Sequence, residues 1–331
     1  MDNASLKAQV ASFARATEPF RSASVPAATF QLITTLGLYV ATVALMMFGV
    51  WNQHWMVLFL APLGGGLMIR LFIIQHDCGH SSFLPSKGWN DAVGRMLSVL
   101  TFTPYEVWKR EHAAHHAGSS HLERRGVGDI DLLTVREYLA LSKVRRVQYR
   151  ALRNPLFLIL IGGPIYFFVL NRFPWGRGFP AREVWRSTVG LDIALVFVYG
   201  VLSAAMGYEI VLSVFGPVAY IASGIGVWLF YIQHQFESVQ WYDKSSWDFQ
   251  VASVYGSSYY KLPRILAWFT GDIGIHPLHH LSSKIPNYKL RSCLKVIPGL
   301  ETLNLLTFRE SLRCASLKLW DEEKSCLAGY P

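Results

Sequence analysis

The sequence predicts an all-α membrane protein with four transmembrane helices in two hairpins and a cytoplasmic helical cap that carries clustered histidines. Two observations predict this class. Of the 331 residues, 52% are hydrophobic and only 16% are charged, whereas soluble domains carry roughly 25% charged residues. Nine of the eleven histidines fall in four short windows that follow or separate apolar segments. Because nothing marks a second soluble domain, we predict one integral-membrane domain over residues 1–331.

The first predicted hairpin follows a polar leader of residues 1–25. Segment 27–50 contains no charged residue and is long enough to cross a hydrocarbon core of about 30 Å at about 1.5 Å per residue. Segment 55–75 is apolar apart from Arg70. We expect the Arg70 side chain to reach from near the helix end towards the interface.

The second predicted hairpin comprises segments 189–206 and 210–231, and the cap comprises residues 76–188 and 232–331. Segment 155–170, before this hairpin, is apolar but short and contains a Gly-Gly-Pro sequence. It is therefore predicted to be an interfacial or partly inserted helix. Topology also favours four transmembrane spans. Histidine windows that form one site must face the same side of the membrane, so the chain between residues 130 and 233 must cross an even number of times. Two spans satisfy this, and segment 155–170 as a third span would not.

The distribution of basic residues predicts the orientation. The loop 105–155 carries ten Lys or Arg residues, and the opposite turns, 51–55 and 207–209, carry none. The positive-inside rule then places the histidine side in the cytoplasm. The net charge of +9 is explained by topology and by contact with lipid headgroups, so no nucleic-acid partner is predicted.

The histidine windows have the spacing of a two-metal site. They read HDCGH, HAAHH, QHQ and HPLHH. Their histidines are His76, His80, His112, His115, His116, His234, His276, His279 and His280. Helix positions i, i+3 and i+4 share one face, whereas adjacent positions diverge by about 100°, which suits two neighbouring ions. Nine imidazoles are too many for one zinc ion, but imidazole also binds iron, copper and nickel, so spacing does not select the metal.

Four carboxylates near these windows are candidates for orienting the imidazole rings: Asp77, Glu106, Glu111 and Asp272. Each is equally consistent with a solvated or ion-paired side chain. His54 and His121 stand alone and are not expected to bind metal. His76 and His234 lie at the ends of predicted spans, and the other two windows lie in the water-side segments between and after the hairpins. The metals would therefore cap the bundle above a groove that an apolar chain could occupy.

The same residues resemble a known family. The three boxes HDCGH, HAAHH and HPLHH resemble those of the membrane fatty acyl desaturases, and QHQFE resembles their extra ligand segment. Three flanking stretches are similar to the omega-6 (Δ12-type) acyl-lipid desaturases: RGVGDIDLLTVREY, NPLFLILIGGPIYFFVLNRFP and HPLHHLSSKIPNYKL. The resemblance covers roughly residues 60–300, with the boxes in the family order and at the family spacing.

The resemblance implies a non-haem di-iron centre with two Fe ions held by the nine histidines. It also implies O₂ as co-substrate, a fatty acyl lipid as substrate, a cis double bond as product, and two external electrons from a ferredoxin or a cytochrome b5-like protein. One departure is Phe230, four residues before His234, where animal Δ9 enzymes carry an asparagine that reaches the metal through water.

Several alternatives remain open at this stage. The basic residues Lys109, Arg110, Arg124 and Arg125 could dock an acidic electron donor or contact anionic lipid. A hydroxylase or related oxygenase could use the same scaffold. A metal-ion transporter is disfavoured, because segments 27–50 and 210–231 carry no charge and the histidines lie at helix ends. The sequence leaves open the acyl chain length, the double-bond position, the acyl linkage (glycerolipid, CoA or carrier protein), the donor and the oligomeric state.

Overall fold

The computed structural model describes residues 3–126, 128, 130–174 and 179–331. The remaining residues, which include two from the RGVGDIDLLTVREY stretch, lie outside this description. The helices are α1 Asn3–Ala16, α2 Val25–Trp51, α3 Ala61–Gly79, α4 Lys87–Thr101, α5 Tyr105–Gly118, α6 Val135–Ala140, α7 Lys143–Leu152, α8 Pro155–Phe157, α9 Gly163–Phe168, α10 Ala181–Met206, α11 Tyr208–His234, α12 Phe249–Tyr255, α13 Arg264–Phe269, α14 His276–Leu281, α15 Asn287–Leu294 and α16 Phe308–Cys314. Most of the described residues are helical, which confirms the predicted all-α class.

The first two apolar segments form long helices, as predicted. Helix α2 begins after Ser24, whose hydroxyl accepts a hydrogen bond from the backbone N–H of Ala27, and Pro26 occupies its first turn. A 3₁₀ turn, Trp55–Leu60, leads into α3. Part of the polar leader forms α1, which buries Val10 and Phe13.

The second pair of long helices is joined at Gly207, whose φ of +95° favours glycine. Helix α11 ends at His234, close to the predicted end. The predicted start of its partner was wrong, since α10 begins at Ala181, eight residues before position 189. The apolar run marks only the part of α10 that can face lipid, and the helix continues through the charged residues that precede it.

A fifth helical segment, Pro155–Arg172, is also long and apolar enough to cross a membrane by length and composition. The predicted count of four spans is therefore not confirmed. This segment consists of α8, a π-helical turn, α9 and a 3₁₀ turn. It packs along α11, where the Tyr220 hydroxyl donates to the Leu160 carbonyl at 2.9 Å.

Close contact between α3 and α11 depends on small residues. A Cβ atom added at Gly64 would lie 2.9 Å from a methyl carbon of Val218, and one added at Gly65 would lie 2.8 Å from a methyl carbon of Ile221. Two glycines in succession thus let these helices approach, as small residues do at helix interfaces in membranes. The two helices carry His76 and His234 at neighbouring ends.

The structure encloses Arg70 in protein, and the predicted reach of its side chain to the lipid interface stays a prediction. Its side chain is buried and donates hydrogen bonds to the carbonyl of Trp268 and, at 3.2 Å, to the hydroxyl of Thr35. The guanidinium carbon lies 4.1 Å from the centroid of the Trp268 ring. Helix α13 covers this face of α3 and supplies the acceptor and aromatic surface that a buried cation needs.

Five short strands in the cap were not predicted: β1 Leu133–Thr134, β2 Tyr259–Lys261, β3 Leu305–Thr307, β4 Leu319–Asp321 and β5 Cys326–Ala328. Strands β1, β4 and β5 form one sheet, and β2 pairs in parallel with β3. At two or three residues each, they are too short for an alternating pattern to identify. Strand β2 also bridges to Ile275, the residue before α14, and so fixes the start of that helix.

Candidate metal centre

Five imidazoles converge to form a first group. Its members are His76, His80, His112, His116 and His279, and their nearest ring nitrogens all lie within 4.8 Å of one another. Three pairs of Nε2 atoms are in contact: His112 with His76 at 2.9 Å, His112 with His116 at 3.0 Å, and His279 with His116 at 3.1 Å.

Four further imidazoles form a second group beside the first. These are His115, His234, His276 and His280, again with ring nitrogens within 4.8 Å of one another. The Nε2 atom of His234 lies 3.1 Å from that of His115 and 3.1 Å from that of His276, and the Nε2 atoms of His276 and His280 are 3.0 Å apart. All nine histidines singled out in the sequence are therefore brought together.

Helices α5 and α14 each contribute to both groups. On α5, His116 belongs to the first group and the adjacent His115 to the second, and on α14 the adjacent His279 and His280 divide in the same way. Neighbouring helix residues diverge by about 100°, so an adjacent pair serves two sites while residues four apart share one. The two groups are thereby fixed side by side.

The geometry and the donor chemistry fit two metal ions. Two ligands at right angles, each about 2.1 Å from an ion, lie about 3.0 Å apart, and the contacting Nε2 atoms are 2.9 to 3.1 Å apart. Each neutral imidazole has one N–H, so His112, which touches two other Nε2 atoms, cannot satisfy both contacts with hydrogen bonds. Within the described chain, the buried Nε2 of His80 has no hydrogen-bond partner. Converging lone pairs of this kind are what a cation satisfies.

Burial keeps these rings in the form that binds metal. Burial lowers the pKa of six of the cap histidines well below the usual value, and neighbouring imidazoles lower it further. The six are His80, His112, His116, His276, His279 and His280. Because the charged form is disfavoured, the rings are neutral at pH 7, as metal ligation requires.

Asp77 orients one of the candidate ligands, as its position next to His76 suggested. The carboxylate oxygen Oδ1 lies 3.1 Å from Nδ1 of His76, so the ring donates there and keeps its Nε2 lone pair for the cluster. His234 is held similarly, with Nδ1 3.1 Å from the carbonyl of Gly256. Both contacts select the same tautomer.

A buried amide chain behind Asp77 was not predicted. Asn287 donates to Oδ2 of Asp77, and Gln31 of α2 donates to the Asn287 side-chain oxygen at 2.8 Å. The chain therefore links the first long helix to His76 through three buried side chains. The available signal was Gln31 itself, since a lone amide within an uncharged apolar helix needs a partner.

The other three candidate carboxylates have identified hydrogen-bond or ion-pair partners. Glu106 accepts from Arg95 at 2.5 and 2.9 Å, and Asp272 pairs with Arg291. Glu111, one turn before His115 on α5, accepts from the Tyr166 hydroxyl at 3.1 Å.

The two isolated histidines lie apart from both groups. His54 is exposed at the turn before α3. His121 is buried, where its Nδ1 accepts from the backbone of Glu123 and its ring centroid lies 5.4 Å from that of Trp247. Neither belongs to the candidate metal groups found among the described residues.

Aromatic side chains border the cluster on two sides. Trp108 stacks on His112 with centroids 4.8 Å apart. Phe230 occupies the position at which animal Δ9 enzymes carry an asparagine. Its ring centroid lies 5.1 Å from that of His115 and 5.6 Å from that of His234. The position therefore presents an apolar surface to the second group.

Comparison with known sequences gives a family match over most of the chain. The sequence profile of the family described as Fatty acid desaturase matches residues 53–310. The chain is 40% identical to a fatty acid desaturase of Bacillus subtilis over 84% of its own length and 78% of the relative. It is 28% identical to the sn-1 oleoyl-lipid 12-desaturase of Synechocystis, over 69% and 64% of the two chains. It is 27% identical to the Delta(12) acyl-lipid conjugase (11E,13E-forming) of Impatiens balsamina, over 75% and 66%.

Proposed function

The chain belongs to the fatty acid desaturase family and is an oxidoreductase, and from that premise we propose that it introduces a cis double bond into a lipid-linked acyl chain. The observation that carries the proposal is the division of nine imidazoles into groups of five and four that share α5 and α14. A relative acting on oleoyl lipid supports a glycerolipid-bound substrate and a Δ12-type position.

We propose iron as the metal and these histidines as its ligands. The first ion would be held by His76, His80, His112, His116 and His279, and the second by His115, His234, His276 and His280. Two iron ions bound there would supply, with O₂ and two external electrons, the oxidising power needed to remove hydrogen from unactivated methylenes. The protein's own part is to fix the rings in one tautomer, exclude water with Trp108 and Phe230, and align the chain.

We propose four full crossings, with segment Pro155–Arg172 only partly inserted. His115 and His234 meet at 3.1 Å, so the chain between them must return to the side from which it left. Both flanks of the segment contact residues near the cluster: Arg153 donates to Gln235 at 2.7 Å, and Glu183, early in α10, pairs with Arg110 of α5. Three complete crossings would separate these partners.

The basic residues of loop 105–155 support a cytoplasmic position for the cluster and its cap. An external donor, ferredoxin or cytochrome b5-like, is part of the proposal. Of the four cations considered for its dock, three already hold a carboxylate of this chain: Lys109 pairs with Asp91, Arg110 with Glu183, and Arg125 with Glu137. These three positive charges are therefore largely neutralised by carboxylates of the same chain, which weakens their attraction for an acidic donor.

An apolar groove of about 380 Å³ is consistent with the proposed acyl-chain substrate. It lies between segment Pro155–Arg172 and α10 and is lined by Phe102, Phe167, Phe168, Arg172, Leu195, Val196 and Tyr199. Its volume is in the range of ligand sites, about 300–1,000 Å³. Phe102 stacks on Tyr199 and belongs to the short connection into α5, so one wall of the groove leads towards the histidines.

Lipid profiling tests the reaction. The chain would be expressed in a bacterial host, and its membrane lipids analysed by gas chromatography with mass spectrometry, alongside His280→Ala and the matched control His54→Ala. We expect new double bonds with the wild type and with His54→Ala, and none with His280→Ala. New hydroxyl groups would favour the hydroxylase alternative, and an unchanged profile would overturn the proposed reaction.

Metal analysis separates the enzyme from the transporter alternative. The purified chain is expected to hold two iron ions, because the two groups are preformed. A single labile ion, together with metal-dependent flux in vesicles, would favour transport. We favour the enzyme because the imidazoles converge at helix ends and, in the part of the chain that the structure describes, no row of ionisable residues crosses the bundle.

A further inference from the structure

Helix α7 presents an apolar strip on the side that faces away from the protein. Val144 and Val147 are each 67% exposed, and Ala151 is exposed as well. At about 100° per residue these three fall within about 60° of one another. Tyr149 lies on the opposite side and is buried, so the strip marks the outward face.

This arrangement is the reverse of a helix that faces water. A solvated cap helix places polar residues at the centre of its outward face. Here the centre is valine and alanine, and the cations lie beside it, Lys143 and Arg150 on one flank and Arg145 on the other. An apolar centre bordered by Lys and Arg is typical of helices that lie in the membrane interface.

The charge around the strip has one sign only. Between Glu137 and Glu183 the sequence contains no acidic residue, while α7 alone carries Lys143, Arg145, Arg146 and Arg150. Two of these cations serve the fold, because Arg146 donates to the carbonyls of residues 139 and 141 and Arg150 donates to the Tyr138 hydroxyl at 2.6 Å. Lys143 and Arg145 are exposed and, among the described residues, have no carboxylate within ion-pair distance.

The helix also lies at the level where the bundle would leave the membrane. Arg153, directly after α7, donates to Gln235, directly after the end of α11. Two residues later the chain enters the apolar segment Pro155–Arg172, whose Leu156 is 67% exposed. Helix α7 is therefore tethered at both a span end and the start of a segment that can enter lipid.

We propose that α7 binds the surface of a bilayer containing anionic phospholipid, with Val144 and Val147 entering the headgroup boundary and Lys143 and Arg145 contacting lipid phosphates. The partner is lipid and not an acidic protein, because the cations surround an apolar strip that a soluble partner would have to cover. The same contact would hold the start of segment Pro155–Arg172 at a fixed depth. This inference does not depend on the proposed reaction.

The test uses the full chain in nanodiscs with a fluorescent probe on the strip. Val147→Cys is labelled with bimane in a Cys326→Ala background, since Cys78, Cys293 and Cys314 are buried. Quenching by acrylamide, a neutral aqueous quencher, is compared between phosphatidylcholine discs and discs in which a third of the lipid is phosphatidylglycerol. We expect quenching to fall by about twofold in the anionic discs.

Charge reversal isolates the electrostatic part. The double change Lys143→Glu and Arg145→Glu should lower the ratio of shielded to accessible probe by about fivefold for each cation removed. The matched control reverses two exposed cap lysines elsewhere, Lys244 and Lys295, and should leave the ratio unchanged. Iron content and elution volume of each variant establish that it is folded.

Two results would overturn the proposal. The first is equal quenching in both kinds of disc and in detergent, with or without the charge reversal. The second is shielding that arises only when a reduced ferredoxin or a cytochrome b5 is added, which would make α7 a docking surface for an acidic protein. Shielding that depends on anionic lipid and on Lys143 and Arg145, without any added protein, supports it.

Discussion

Asn287 donates two hydrogen bonds to a single carboxylate oxygen of Asp77, from its backbone nitrogen at 2.6 Å and from its side-chain amide at 2.8 Å. The second oxygen of Asp77 is thereby turned to His76. Both Asn287 and Asp77 are at most 2% exposed, so no solvent competes for the carboxylate. The orientation of one candidate ligand is thus set by a residue more than two hundred positions away in the chain.

Replacing Asn287 by Ala should weaken the metal centre without removing a ligand. Of the two hydrogen bonds from residue 287 to Asp77, only the one from the backbone N–H would remain. Changes to groups that orient metal-bound histidines cost about 10- to 100-fold in metal affinity or activity. Iron retained per chain after timed exposure to a chelator measures the effect. Asn52→Ala, at an exposed turn, should retain iron like the wild type, and equal retention in both variants would refute the role of Asn287.

The packing of α3 against α11 predicts a different response at two glycines. A Cβ at Gly65 would lie 2.8 Å from Ile221 and 3.2 Å from the backbone oxygen of Val218, so Gly65→Ala must push the helices apart. Overpacking of this kind costs about 1–3 kcal/mol, which exceeds the roughly 1 kcal/mol that alanine gains in helix propensity. We expect a lower midpoint of thermal unfolding in detergent, followed by tryptophan fluorescence.

Gly200→Ala is the matched control for Gly65→Ala. It lies within α10 with nothing within 4 Å of the added carbon, so only the propensity gain remains. An unchanged or slightly higher midpoint is expected. If both variants shifted the midpoint alike, the close approach of α3 and α11 would not be what Gly65 provides.

The sequence was sufficient for features that depend on local periodicity. Apolar segments predicted the long helices, and the i, i+3, i+4 spacing of histidines predicted how α5 and α14 divide between two groups. Features that depend on distant partners were not accessible. The acceptor of Arg70 lies on α13, and the partner of Asp77 lies on α15. No local pattern encodes which remote backbone or side chain will cover a buried polar group.

The same limit explains the segment Pro155–Arg172. Its length and composition permit crossing, whereas the contacts of its flanks, Arg153 with Gln235 and Arg110 with Glu183, favour a return to the same side. Hydropathy describes one segment at a time. The topology follows only when residues before and after the segment are found together.

The buried amine of Lys318 should make the free energy of unfolding rise as the pH becomes alkaline. Burial, aided by nearby Arg153, lowers the pKa of its amine to about 8 from the usual 10.5. Below pH 8 both folded and unfolded chains hold the proton, and the folded chain bears the cost of the buried charge. Between about 8 and 10.5 only the unfolded chain keeps it, so stability rises with pH across that window.

The measurement for Lys318 is a difference from a neutral variant. Other lysines and tyrosines also titrate in this window, so the unfolding midpoint is compared between wild type and Lys318→Met at pH 8 and pH 10. The wild type should gain a few degrees relative to the variant, at about 2 °C per kcal/mol for a chain of this size. If the difference in unfolding midpoint between wild type and Lys318→Met were the same at pH 8 and pH 10, burial would not lower the pKa of the Lys318 amine.

Adjacent histidines should affect different metal ions. His115 and His116 are neighbours in sequence but belong to the second and first groups respectively, so His116→Ala should chiefly empty the five-histidine site and His115→Ala the four-histidine site. We expect iron to fall from two towards one per chain in each variant, and activity to fall by more than about 100-fold, since removing a ligand exceeds the cost of disturbing its support. Elemental analysis gives the number of ions, and Mössbauer spectra of the two variants should differ because the remaining ion has four histidines in one and five in the other. Identical spectra would contradict the division of the cluster, whereas the exposed His54→Ala variant should keep both ions and the wild-type spectrum.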